Sequence, residues 1–123
     1  MYNQMVVRTD PTDDEADRIF QALADSTRRD IVTRVLRQEQ SVSALAGHYA
    51  MSFAAVQKHV AVLERASLVT KQRRGREQVV HGNVGTLRRA ARLLEAYEEL
   101  WLGRARRIDD LLAEEAPPGD RGT

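Results

Sequence analysis

Between Met51 and Glu64 the chain reads MSFAAVQKHVAVLE. Ser52, Phe53, Gln57, Lys58 and His59 put a hydroxyl, an aromatic ring, an amide, an ammonium and an imidazole near the start of one helical stretch. An amide can bond adenine through two atoms, an ammonium can reach guanine or a phosphate, and an aromatic ring can pack on a thymine methyl. Backbone NH groups at a helix start favour a phosphate. Val56, Val60 and Leu63 recur at helical spacing on the opposite side, which is the pattern of a face held on a core. Taken alone, the stretch also fits an ordinary surface helix. Further along, Arg73, Arg74 and Arg76 surround Gly75. Three guanidinium groups at a hairpin tip can lie along phosphates or enter a narrow minor groove. The competing reading is a charged edge that blocks sheet aggregation.

The elements that would position these groups follow from periodicity and capping. Thr12 can cap a helix over about 13–24, with Asp13, Asp14 and Glu15 in its first turn. Asp25 opens a second helix over about 25–38, with Ile31, Val32, Val35 and Leu36 on its apolar side. Ser41 or Ser43 begins a short third helix ending near Ala50. Ser52 is the N-cap candidate for a fourth, about 53–66. A short helix, a turn of about three residues and a longer helix have the spacing of a helix-turn-helix. In that motif the second helix lies in the DNA major groove and its N-terminal residues touch base edges. Residues 68–81 then form two β-prone arms about Arg74-Gly75, a hairpin too short to stand alone. A long helix over about 86–115 follows the break at Asn83–Gly85.

That last helix carries Leu87, Leu94, Trp101 and Ile108 seven apart, with Ala90, Tyr97, Arg104 and Leu111 three behind each. This is a heptad seam, flawed at Arg104 and interrupted by Gly103. A long helix with such a seam favours a homodimer. Closing the core of a monomer is the alternative. Residues 1–12 are expected to be a flexible N-terminal arm and 116–123 a disordered tail. Residues 13–115 form one domain for DNA binding and dimerisation.

Composition narrows the class. The 123 residues contain no cysteine, which excludes disulfides, thiol redox sensing and thiolate metal sites. No run of ~18 apolar residues occurs, so no membrane span is expected. No secretory signal pattern is expected either, and a cytoplasmic protein fits. The net charge is only +1, but residues 41–85 hold six basic and two acidic side chains. That local excess suits an anionic surface such as nucleic acid. No Gly-rich phosphate loop or nucleophile motif appears, so no enzyme is read here.

Three segments together resemble the ArsR-type (ArsR/SmtB) winged-helix transcriptional repressors. They are ALADSTRRDIVTRVL (Ala22–Leu36), SVSALAGHYAMSFAAVQKHVAVLERASLV (Ser41–Val69) and RRGREQVVH (Arg73–His81). The family's Leu-Ala-Asp-Pro-Thr-Arg-Arg has Ser26 in place of proline, and its Val-Ser-x-His-Leu is Val56-Gln57-Lys58-His59-Val60. The resemblance covers roughly residues 15–112. It implies a mainly α fold with a small β-hairpin: a winged helix-turn-helix of about five helices plus a two-stranded wing. It also implies a homodimeric repressor on an inverted-repeat, double-stranded DNA operator, with dimerisation through the first and last helices, so that Ile19, Phe20 and Leu23 would meet Leu94, Tyr97, Trp101, Ile108 and Leu111. Several members of the family control their own gene.

The resemblance fails where many members sense metals. The place of the paired cysteines reads Ser43-Ala44-Leu45-Ala46-Gly47-His48, and the last helix has no histidine. His48, His59 and His81 fall on different elements, whereas a transition-metal site needs about three converging ligands. No metal or other cofactor is expected, and no effector is identified. Two alternatives share the scaffold: a protein-interaction module, and a metal-responsive derepressor with a cysteine-free site.

Overall fold

The computed structural model describes residues 11–115. The expected arm and tail lie outside them, apart from Pro11 and Thr12. The elements run α1 (Asp13–Leu23), α2 (Ser26–Arg37), β1 (Gln40–Ser41), α3 (Val42–Ala46), α4 (Phe53–Arg65), β2 (Val69–Arg74), β3 (Glu77–Gly82) and α5 (Val84–Glu115). The fold is therefore the expected mainly α winged helix-turn-helix with five helices. Contacts divide the chain into one compact unit up to Ala90 and a second from Ala91 onward.

Four helices start at a side-chain cap. Thr12, Asp25, Ser41 and Ser52 accept bonds of 3.0–3.1 Å from the backbone NH groups of Glu15, Arg28, Ala44 and Ala55. Each satisfies one of the NH groups that a helix start leaves unpaired. Asp25 thus stands outside α2 as its cap, and the choice between Ser41 and Ser43 falls to Ser41. At the start of α5, Asn83 accepts from the Gly85 NH at 3.1 Å and lets the helix begin at Val84, two residues before the sequence pattern resumes.

The core of the first unit is built by Ile19 and Ala22 of α1, Ile31, Val32 and Val35 of α2, and Val56, Val60 and Leu63 of α4. Val42 and Leu45 of α3, Leu68, Val69 and Val80 of the wing and Ala90 of α5 close it. Burying each Leu, Ile or Val contributes about 1.5–3 kcal/mol. This is what fixes α4 with one side turned inward.

α3 is shorter than expected, but its chain keeps turning. Gly47, His48 and Tyr49 donate backbone bonds to Ala44, Leu45 and Ala46, three residues back. These tighter turns carry the short helix to Tyr49 and leave about three residues of connection. Tyr49 fixes that connection to α2. Its hydroxyl donates to Asp30 at 2.6 Å, and Arg34 Nε donates to the same oxygen at 2.7 Å. Burial first, and then the Asp30 bond, push the Tyr49 phenol up to about 12.

The sheet has three strands in the order β1-β3-β2, all antiparallel. β2 and β3 form the expected two-stranded wing, and β1 adds a third strand to it. Gln40 and Ser41 have no strand pattern of their own and become a strand by pairing with Val80 and Val79. The hairpin loop is Gly75-Arg76, since Arg74 pairs with Glu77. Gly75 has φ +61° and Arg76 has no positive φ, the pattern of a type II′ turn.

Ser67, at φ +61°, is the one other residue with positive φ among those described. It ends α4 in a Schellman turn, where its NH bonds the Glu64 carbonyl and the Leu68 NH bonds that of Leu63, both at 2.9 Å. Leu68 is then buried in the core. The turn leads α4 directly into β2.

Candidate nucleic-acid interface

The capping bond of Ser52 starts α4 at Phe53, and the core contacts of Val56, Val60 and Leu63 set its rotation. Ser52, Phe53, Gln57 and Lys58 are consequently exposed. Phe53 keeps 46% of its surface in solvent, which no packing need of the first unit explains. One turn of helix separates Phe53 from Gln57, so ring, amide and ammonium share the first two turns of one outer face.

His59 is placed differently from the other four. It is half-buried, and its Nδ1 lies 3.3 Å from Arg28 Nη1. A guanidinium has no acceptor, so in this contact Nδ1 can only accept. The same Arg28 donates through Nε to the Ala22 carbonyl at 2.7 Å and through Nη2 to Gln21 at 3.1 Å. Arg29 donates to the Leu23 carbonyl at 2.7 Å. The last turn of α1 contains no basic residue. The two arginines of α2 supply the positive charge that its open carbonyls favour. His59 is thus tied to the α1–α2 junction through Arg28, on the inner edge of α4.

The wing arginines are exposed but not equivalent. Arg73 Nε donates to the Gly75 carbonyl at 3.2 Å. Arg74 is paired with Glu39, which also accepts from His81 Nδ1 at 3.2 Å when that nitrogen is protonated. The Arg74 bond holds the Glu39 carboxyl below its ordinary range. Arg76 has no hydrogen bond or ion pair among the described residues. The tip therefore offers one uncommitted guanidinium, with two more already engaged.

The expected dimer residues separate into two groups. Ile19 is fully buried in the core of its own protomer, so it is withdrawn from that face. Leu23 is half-buried and Phe20 is 38% exposed. In the second unit Leu94, Tyr97, Trp101, Ile108 and Leu111 are all exposed, Trp101 to 63%. Arg104, the flaw in the heptad, lies with its guanidinium 6.0 Å from the centre of the Trp101 ring, a cation–π contact between residues three apart.

Several residues that shape the interface were not singled out from sequence. Arg28 and Arg29 belong to the ADSTRR stretch, but their bonds reach back six or seven residues to α1 and, for Arg28, across to α4. Glu39 and Arg74 are 35 positions apart, and Asp30 and Tyr49 are 19 apart. No local spacing signals such pairs. Ser67 sits where glycine is the usual signal of a helix end.

A solved ArsR-like transcriptional regulator from Rhodococcus sp. RHA1 is similar, with 34% identity over 79% of this chain and 92% of that one, at a TM-score of 0.70. The chain belongs to the ArsR family of transcriptional regulators. Another ArsR-family regulator structure matches at 29% identity over 75% of this chain and 95% of its own, again with a TM-score of 0.70. A homodimeric winged helix-turn-helix DNA-binding domain from Mycobacterium bovis shares the fold at 22% identity, covering 77% of this chain and 92% of that one, with a TM-score of 0.58. Among curated proteins, the HTH-type transcriptional regulator Rv2034 of Mycobacterium tuberculosis is 43% identical over 63 residues, or 51% of this chain. That match spans 59% of the relative's length. No family model matches the chain. Like its ArsR-family relatives, the chain is a transcriptional regulator and not an enzyme.

Proposed function

We propose that this ArsR-family regulator is a repressor that binds double-stranded DNA sequence-specifically, as a homodimer on an inverted-repeat operator, in the cytoplasm. The observation that carries the reading is the division of α4. Val56, Val60 and Leu63 are held inward, while Ser52, Phe53, Gln57 and Lys58 are left to solvent beside a basic wing. Gln57 and Lys58 read base edges, Phe53 packs on a thymine methyl, and Ser52 and the helix start hold a phosphate. Arg76 contacts the backbone or the minor groove, with Arg73 and Arg74 released from their protein partners to join it. His59 acts through Arg28 as a positioning residue. Control of its own gene is included in the reading.

The exposed apolar residues of α5 beyond Ala90, with Phe20 and Leu23, support a dimer. A two-fold dimer presents two reading helices about one DNA turn apart, ~34 Å. The homodimeric state of the Mycobacterium bovis domain favours the same arrangement. No described helix is long and apolar enough to cross a membrane.

The test is selection of bound genomic fragments followed by affinity measurements across a salt series. A palindromic site with steeply salt-dependent binding is expected. Arg76→Ala should weaken specific and random DNA alike and lower the salt slope by about one. A protein that ignores DNA even at low ionic strength would end the proposal and favour a protein-interaction module.

A further inference from the structure

A groove on the first unit lies between α1 and the C-terminal end of α4. Its volume is about 260 Å³, and Arg18, Gln21, Val62, Arg65 and Ala66 line it. Val62 and Ala66 make an apolar floor, since both pack on or within the hydrophobic core. Arg18 and Arg65 make no hydrogen bond or ion pair among the described residues, although Arg18 lies close enough to help lower the Glu15 carboxyl, which is itself bonded to Arg89. Two guanidiniums with no hydrogen-bond partner, beside one apolar floor, match a ligand with an anionic head and a short apolar body. We propose that this groove binds a small amphipathic anion.

Three features of the fold favour that occupant. The carbonyls at the end of α4 would repel an anion if they were open. Those of Val62, Leu63 and Glu64 instead accept backbone bonds from Ala66, Leu68 and Ser67. Arg65 stands in the last turn, where a cation is favoured. The groove also remains open in the proposed dimer. At about 100° per residue, Arg18 and Gln21 flank one side of the buried Ile19–Ala22 ridge, and Phe20 and Leu23 flank the other. A partner seated on Phe20 leaves the Arg18 side uncovered. The volume sits just below the usual range for small-molecule sites, so the ligand is smaller than a typical drug. The proposal concerns binding alone and does not depend on how the protein reads DNA.

The test uses octanoate as the probe, with octanamide as a neutral molecule of the same length, titrated into the full chain and followed by amide NMR. Octanoate should bind saturably and shift the amides of Gln21, Val62 and Ala66. Octanamide should bind at least about tenfold more weakly. Arg18→Gln and Arg65→Gln, both surface changes, should each weaken octanoate by about five- to tenfold. Equal binding of the two probes, octanoate affinity unchanged in both variants, or no saturation up to about 10 mM would each overturn the site.

Discussion

α4 and the part of α5 beyond Ala90 carry the same kind of apolar periodicity, and the fold sends the two stripes to opposite places. In α4 the stripe disappears into the core and the polar face is presented. In distal α5 the stripe itself is presented, from Leu94 to Leu111. Periodicity reports that a helix has an apolar face. It does not report whether that face is meant for its own chain or for another. The difference lies in what surrounds the helix in sequence. α4 is flanked closely by α3 and by the turn into β2, which supply Leu45, Leu68 and Val69 to cover it. Distal α5 has no following element among the described residues.

This contrast can be broken most forcefully by cutting into each stripe. Leu63→Ala should destabilise the folded protein by about 2–5 kcal/mol, whatever the protein concentration. Trp101→Glu should leave that unit's unfolding cooperative but yield monomers in sedimentation, with operator affinity falling in parallel. If Trp101→Glu unfolds the protein as Leu63→Ala does, the α5 stripe serves its own protomer and the contrast fails.

The presented face of α4 is tested next. Gln57→Ala should cost about 1–3 kcal/mol in operator binding and relax preference at one base-pair position, with thermal stability unchanged. An operator titration superimposable on wild type would remove Gln57 from the reading set. A smaller effect concerns how α4 ends. Ser67→Gly relieves a left-handed conformation that costs an ordinary residue about 1–2 kcal/mol, partly offset by glycine's extra freedom when unfolded. A gain of about 0.5–1 kcal/mol in urea unfolding is expected, and a loss would mean that the serine side chain matters there.

The smallest effect is a pH dependence. Hydrogen bonds from Tyr49 and then Arg34 hold the Asp30 carboxyl below its ordinary 3.8. A depressed carboxyl adds stability above its unfolded value and loses it as pH falls toward the folded one. Glu15, Asp25 and Glu39 are lowered as well, by Arg89, the Arg28 backbone NH and Arg74 respectively. The contribution of the Tyr49 bond is therefore read as a difference. Tyr49→Phe should be less stable than wild type at neutral pH, and the gap should narrow as pH falls through 3.8. A constant gap would show that Tyr49 acts by packing alone.

Much of the first unit was legible because its signals are local. Thr12 and Ser52 were readable as caps, and Gly75 as the hairpin turn. Val56, Val60 and Leu63 were readable as an inward face, and that reading places Gln57 and Lys58 outward by geometry alone. What was not legible depends on distant partners. β1 exists only because β3 lies beside it. Arg74 reads in sequence as an open phosphate ligand, whereas in the fold Glu39 lies against it. Ile19 shares the apolar pattern of Phe20 and Leu23, and only the rotation of α1 in the folded unit separates the three.

Arg28 forms bonds in three directions, to the Ala22 and Gln21 carbonyls and to the His59 ring. Its planar fork is what allows it, because each nitrogen points to a different neighbour at a fixed angle. A lysine there could keep the charge but would satisfy these partners one at a time. The core holds the reading helix and the first two helices together, and at its polar edge one side chain joins all three, so even a charge-preserving exchange there would loosen three elements at once.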